Sequence, residues 1–360
     1  MRQQDIADYR LVNQHISHPN SKKPEEVVSL LGAIQAQDYL SALWAIGLRL
    51  PNSTQATVER AIVQKKIVRT WPIRGTLHFV SSADVRWMLG LLAKRAIPDY
   101  QKRRGLDEAL LEKGRKALVA AFKGHGQLTR DEIGRAFSDA GIPALDKRDI
   151  QRQIIRRTAR EGLICFGAHR GKQPTFAFLD DWVLKDSTLK REEALAEMAK
   201  RYFMGHGPAT LKDFVWWSGL KVSDARIGVG MASSQLAQET VDGKTYWMPD
   251  HIKEPHDTSP TAYLLPSFDE YLIGYKDRGA MLDALHAQKV VPGNNGMFLP
   301  VVLVDGKVVG TWKRTFDRDR VDVKVKPFGR ISAERMDAVA VAAERYGMFL
   351  GKPVVLEKSQ

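Results

Sequence analysis

Two carboxamides, Gln35 and Gln37, stand beside a carboxylate, Asp38, and a phenol, Tyr39, where an apolar helical pattern runs out. Such a group can hold and orient a reactant but contains no strong base among its amides, because a carboxamide does not take up a proton near neutral pH. Asp38 could supply a carboxylate, although on a helix its side chain would point roughly 100° away from that of Gln37. The same spacing also suits a structural use, in which the amides cap a helix end.

Other chemistries find less support. The chain has no G-x-x-x-x-G-K-[ST] loop, no G-x-G-x-x-G after a strand and no H-E-x-x-H, and its histidines do not fall at ligand spacing with carboxylates, so neither metal nor cofactor is expected. A single cysteine, Cys165, excludes an internal disulfide, and its apolar run Leu163-Ile164-Cys165-Phe166 marks a buried strand residue rather than a nucleophile. Lys and Arg number 55 against 42 Asp and Glu, a net charge of +13 that attracts polyanions, nucleic acid first among them. The start Met1-Arg2-Gln3-Gln4-Asp5 lacks a signal-peptide core and no long apolar run follows, so a soluble, cytoplasmic protein without membrane contact is expected, and with no heptad or other dimerisation segment it is expected to be monomeric.

The 360 residues exceed one ordinary core. Pro24-Glu25-Glu26 opens an amphipathic helix with Val27, Leu30, Leu31 and Ile34 on one face, ending near Gln35. Apolar helical segments at 40–48 and 57–66 precede two β-type runs, 67–71 and 76–80, around Pro72-Ile73-Arg74-Gly75. Three helices and a hairpin make a winged helix, and the order repeats. Gly124-His125-Gly126 and Gly205-His206-Gly207 lie 81 residues apart, each followed at the same offset by a capping-box pair, Thr129 with Glu132 and Thr210 with Asp213. The second copy predicts helices at 107–123, 129–139 and 146–161 and strands at 163–166 and 175–179. The third predicts helices at 190–204, 210–219 and 222–237 and a hairpin turning at Asp242-Gly243. Beyond Pro249 the pattern turns to strands at 261–265, 297–304, 307–312 and 321–325, then a helix at 332–346 and a last strand at 353–356.

The expectation is therefore an α+β, mainly α chain: winged helices at 1–105, 106–188 and 189–254, then a small β-barrel-like unit at 255–360. Gln35-Ala36-Gln37 falls between the first two helices of its copy, where the others carry Gly-His-Gly. A plain turn twice and two amides once mark the first copy as the candidate reaction centre.

Basic residues supply candidate contacts to DNA. Arg148, Arg152, Arg156 and Arg160 recur at i+4 as a stripe on the third helix of the second copy, the position that lies against DNA in many winged helices. Arg95, Lys102, Arg103 and Arg104 sit in a linker that could follow a phosphate backbone. Trp71 and Arg74 in the first wing could stack on a base or enter a groove, or else cap a core and face solvent. His78 alternates with Leu77 and Phe79, suiting a structural or a functional histidine alike. Lys276, Arg278 and the Lys313-Arg314 pair could line a basic groove, while internal salt bridging is expected of the other charges in 268–278.

Gln35-Ala36-Gln37, together with Arg74-Gly75-Thr76-Leu77-His78 and Leu265-Pro266-Ser267-Phe268-Asp269-Glu270-Tyr271-Leu272-Ile273-Gly274-Tyr275-Lys276-Asp277-Arg278, resembles the winged-helix DNA glycosylases of the AlkZ-like family. The likeness runs from about residue 10 to the C-terminus and is closest to the branch with Q-x-Q rather than Q-x-D. It implies excision of alkylated bases from double-stranded DNA, unhooking of interstrand crosslinks in some members, and catalytic roles for Gln35 and Gln37, with Asp38 and His78 as possible support. Two glutamines can hold a water in line with the anomeric carbon and turn carbonyl oxygens toward the positive charge growing on the sugar. A ring-alkylated purine is already cationic and leaves readily, so modest assistance suffices.

Overall fold

Short helices and short strands alternate along the chain in the computed structural model, which describes residues 1–93, 107–142, 148–183, 188–251 and 260–358. The chain divides into two compact units, one of residues 1–60 and 195–360, the other of residues 61–194. Arg95, Lys102, Arg103, Arg104 and the expected helix start at 146 lie outside the described residues. Among the described residues no helix is long and apolar enough to cross a membrane.

In the first unit the helix Tyr39–Gly47 is buried from Ser41 to Gly47, as suits a helix apolar on all sides. Its Trp44 donates the indole N–H to the carbonyl of Leu264 at 2.7 Å, and Trp312 donates to the next carbonyl, that of Leu265, at 2.8 Å. Tyr346 packs edge-on against both indoles, with ring centroids 5.1 and 5.2 Å away. The strand Ala262–Leu265 is thereby pinned just before the segment that supplies Ser267, Asp269 and Glu270.

That strand is one edge of a five-stranded sheet ordered Val354–Lys358, Val321–Pro327, Lys307–Phe316, Val301–Val304, Ala262–Leu265. All neighbours are antiparallel except the first two, which are parallel and are joined by the crossover helix Ala333–Leu350. Asp305-Gly306 turns the central hairpin with φ of 49° and 71°, and Asp242-Gly243 turns that of Ala237–Val241 and Lys244–Met248 with 47° and 72°. Both are the doubly left-handed turns that match strand twist. The sheet is a curled half-barrel, so the expected barrel-like unit is open. The strand expected from 297 begins only at Val301, because Pro300 has no N–H to give to a ladder.

In the second unit the helices Glu108–Phe122, Arg130–Asp139 and Arg148–Arg160 enclose Leu118, Ile133, Phe137, Ile154, Phe166 and Phe176. Strands follow one another across its sheet in the order His78–Ser81, Ile67–Thr70, Ile164–Phe166, Thr175–Phe178, Leu128–Thr129. Cys165 is fully buried in this sheet, and burial pushes its thiol up to about 12, which makes it inert as a nucleophile.

Both expected capping boxes are present. At the first, Glu132 accepts the Thr129 N–H at 2.6 Å and pairs with Arg170 at 2.8 Å. The backbone bond first, and the guanidinium second, draw its carboxyl down from the ordinary 4.5 to about 2. A carboxyl held low in the folded state adds stability that is complete above its unfolded value and is lost as pH falls towards its folded one. Glu132→Gln should lower the melting temperature at pH 7, and its gap to wild type should narrow steadily below about pH 4.5. Thermal melts over that range read the effect, and a gap that does not change with pH would put it down to packing.

Candidate active site

The peptide carrying the two amides leaves its helix early. The helix Pro24–Leu30 ends at Gly32, whose φ of 72° is the left-handed conformation that closes a helix and whose N–H donates to the Ser29 carbonyl. Ile34–Gln35 is a two-residue strand, and Gln37 lies in a bend. The expected helix over 24–34 is thus four residues too long, and the amides cap nothing. Asp38 is the cap: its Oδ1 accepts the Ser41 N–H at 3.0 Å at the head of Tyr39–Gly47. Because Gln37 precedes that helix, the angular offset expected between it and Asp38 does not apply.

The positions expected to correspond, at 128–129 and 209–210, differ from this one. Leu128–Thr129 runs straight into its cap at Thr129, and Ala209, bridged to Trp247, is followed at once by its cap Thr210. Ala36 and Gln37 are interposed between Gln35 and the cap Asp38. Gln35 is almost buried, at 8% exposure, and Gln37 is exposed. Among the described residues neither side-chain amide takes a hydrogen bond from another group, so both remain available to a ligand.

Behind Gln35 lies a buried carboxylate. Glu270 Oε1 accepts the backbone N–H of Gln35 at 3.1 Å, and Oε2 accepts the indole N–H of Trp217 at 2.9 Å, with His206 Nε2 at 3.4 Å. Glu270 and His206 are fully buried. His206 stacks on Tyr202 at 4.7 Å, and its carbonyl accepts the hydroxyl of Tyr275 at 2.7 Å. From there Gln14 Nε2 donates to the Tyr275 oxygen, Arg49 Nη2 donates to Gln14 Oε1, and Arg49 meets Asp269 through two bonds of 2.7 and 2.9 Å. Asp269 in turn caps Glu270–Ile273 by accepting the Tyr271 N–H, which closes the ring of contacts at Glu270. Burial raises the phenols of Tyr202, Tyr271 and Tyr275 above their ordinary range, keeping them neutral donors.

Sequence reading missed Glu270, His206 and Trp217. The plain turn expected at 205–207 is a helix end with His206 buried, whereas His125 in the earlier Gly-His-Gly is exposed. The adjoining Asp269-Glu270 in an apolar stretch was the available signal, since an acidic pair among Leu265, Phe268, Tyr271 and Leu272 demands partners.

Two other candidates meet in the first unit. Arg314 lies 3.6 Å from Asp38 and reaches the Ser41 hydroxyl, while Ser267 bridges Ser41 at 2.8 Å and Asp38 at 3.4 Å. Lys276 is exposed, with its ammonium 4.5 Å from the ring of Trp216. Arg278 donates to the Leu272 carbonyl and lies 4.8 Å from the Phe298 ring. Of the salt bridges expected in 268–278, Asp269–Arg49 is buried and Asp277–Lys244 is exposed.

The remaining candidates belong to the second unit. Trp71 packs on Phe166 at 5.2 Å at the edge of the core, while Arg74 is exposed on a left-handed turn with φ of 47°. His78 is buried, with Nδ1 3.0 Å from the Thr76 carbonyl. Arg148 opens its helix, Arg152 is exposed, Arg156 donates to the Gly75 carbonyl at the wing, and Arg160, 4% exposed, donates to the Ala93 carbonyl. The expected single stripe therefore turns from solvent into the core. Each i+4 step drifts by about 40°, so three steps carry an arginine roughly 120° around the helix. Arg152 lines a groove of about 630 Å³ with Arg130 and Arg135, together with Asp131, Asp139 and Gln151. Burial and then the charge of Arg152 lower the Arg130 guanidinium from its usual value.

The model of the AlkZ-like DNA glycosylase family matches residues 28–349, and the chain belongs to that family. An interstrand DNA cross-link repair glycosylase of Streptomyces sahachiroi is 27% identical over 356 residues, covering 94% of this chain and 93% of the relative. The solved structure of the Streptomyces sahachiroi DNA glycosylase AlkZ shares its fold, with a TM-score of 0.78 at 23% identity over 99% of this chain and 100% of the other.

Removing one partner of the buried ion pair leaves the other uncompensated in a dry interior. Asp269→Ala should destabilise the protein by about 3 to 5 kcal/mol, measured by denaturant titration. A loss below about 1 kcal/mol, the usual worth of a surface pair, would show that water reaches Arg49.

Proposed function

We propose that this protein is a monofunctional DNA glycosylase that hydrolyses the N-glycosidic bond of alkylated purines and unhooks crosslinked nucleotides, acting as a cytoplasmic monomer on duplex DNA. The observation that carries the reading is the pair of side-chain amides that, among the described residues, have no protein partners, on a peptide held from behind by Glu270. Gln35 and Gln37 hold a water against the anomeric carbon and direct carbonyl oxygens at the charge that develops there. Asp38, already capping a helix and facing Arg314, supports the bend in which Gln37 sits. The product is a free base and an intact abasic strand, because the nucleophile is water and not an amine.

Three winged helices, at 1–105, 106–188 and 189–254, serve as the DNA-binding frame, with 255–360 as the unit that braces the amide peptide. The helix–helix–helix–hairpin orders Glu108–Phe122 to Thr175–Phe178 and Arg191–His206 to Lys244–Met248 support that division. The groove of Arg130, Arg135 and Arg152, with the net charge of +13, supports phosphate contact from the second copy. Lys276, Arg278 and Arg314 supply further positive charge in the first unit. The Streptomyces sahachiroi relative is an interstrand DNA cross-link repair glycosylase, which supports crosslinks as substrates.

Purified protein should release free alkylbase from methylated or nitrogen-mustard-treated duplex without added metal and without cutting the strand. Gln35→Ala and Gln37→Ala should each lose roughly 10² to 10³ in single-turnover rate with DNA affinity within about twofold of wild type. Binding without release of any base would turn the reading to a non-enzymatic DNA-binding regulator. Arg152→Ala should weaken binding to all sequences alike and reduce the slope of log K against log salt by about 1. An unchanged slope would take that groove out of the interface.

A further inference from the structure

We infer that Glu270 is a positioning residue for the glycosylase reaction, acting through the main chain of Gln35. The inference rests on the catalytic reading of Gln35 and Gln37. A carboxylate taken wholly out of water is costly unless its oxygens are given donors, and each oxygen of Glu270 has at least one, with His206 Nε2 a further neighbour of Oε2 at 3.4 Å. One donor is the indole of Trp217, a rigid ring in the core, and the other is the backbone N–H of Gln35, 235 positions away in the chain. The carboxylate is thus a tie between a fixed ring and the peptide that carries the amides.

Three features make the tie stiff. Glu270 follows directly on Asp269, whose bidentate bond to Arg49 and bond to the Tyr271 N–H fix the first turn of Glu270–Ile273. Phe268, the residue before that pair, sits at φ of 59°, a conformation a phenylalanine keeps only when its neighbours leave no choice. Gly274 closes the short helix, and the Cβ of any other residue there would run into the ring of His206 and the carbonyl of Glu270. Gln35 gives its backbone N–H, and not its side chain, to this tie, so the bond to Glu270 helps to hold its peptide while leaving the amide to a ligand. A displacement of that peptide moves the Gln35 amide relative to a bound sugar, and misplacement by an ångström is enough to cost a hundredfold in a reaction that depends on orientation.

Glu270→Gln keeps the shape but presents an NH₂ to one of two N–H donors, so one tie is lost. The single-turnover rate of base release from methylated duplex should fall about tenfold to hundredfold, with the Kd for the duplex within twofold of wild type. Because the residue acts through Gln35, Gln35→Ala/Glu270→Gln should be no slower than Gln35→Ala alone, a non-additivity that a general loss of stability does not produce. Should Glu270→Gln fail to fold, Trp217→Phe removes the other donor while keeping an aromatic ring. It should slow release severalfold in the wild-type background and not at all in Gln35→Ala. A wild-type rate in Glu270→Gln, or multiplicative losses in the double variants, overturns the positioning role while a slow Gln35→Ala leaves the catalytic reading standing. A wild-type rate in Gln35→Ala removes both.

Discussion

The buried ion pair of Arg49 and Asp269 is the contact on which the first unit depends. Withdrawing two charges from water costs several kcal/mol per ion, and only close geometry with every remaining donor engaged recovers it. Arg49 meets most of those terms through two bonds to Asp269, one to the Ala45 carbonyl and one to Gln14, while its buried Nε has no partner among the described residues. Asp269 then does a second task with the same atoms, capping the short helix that begins at Glu270. The pair therefore joins the buried helix Tyr39–Gly47 to the segment after strand Ala262–Leu265, and both ends of that join border the amide peptide. The left-handed Phe268, worth of order 1–3 kcal/mol of strain, persists because Ser267 is held to Ser41 on one side and Asp269 to Arg49 on the other.

On the proposed reading, an enzyme that works through two amides depends on placement more than on proton affinity. Amides gain nothing from a shifted pKa, so the usual route of tuning a general base by burial is closed to them. What remains is orientation of a water and of carbonyl dipoles, and a cationic alkylated purine, already a good leaving group, asks for little else. The ionisable groups nearby are accordingly spent on structure. Asp38 caps a helix and faces Arg314, and Glu270 holds a peptide N–H.

Local chemistry was legible in the sequence and long-range chemistry was not. Asp242-Gly243 and Asp305-Gly306 turn hairpins where expected, and Thr129 and Thr210 cap helices with their acids three residues on, because each outcome is decided within four residues. Gly32 was the overlooked stop: apolar periodicity carries through Ile34, yet the backbone leaves the helix at the glycine. The arginine stripe was read from i+4 spacing alone, which hides the drift that buries Arg160. Gln35 and Gln37 stand out as candidates by motif, but the bond that Glu270 makes to Gln35 was beyond reach, since no periodicity links positions 235 apart.

The first unit is assembled from two stretches of chain separated by a complete second unit, and this has a consequence for synthesis on the ribosome. Arg49 precedes its partner Asp269 by 220 residues, a delay of roughly 10 to 45 s at ordinary elongation rates. Residues 61–194 are finished within that interval and can fold as a contiguous block, while the N-terminal stretch waits for its other half. The amide pair is thus made early and anchored late. A prematurely terminated chain carries Gln35 and Gln37 without Glu270 or the Asp269 carboxylate that precedes it, so its amide peptide lacks the buried tie that the full chain supplies.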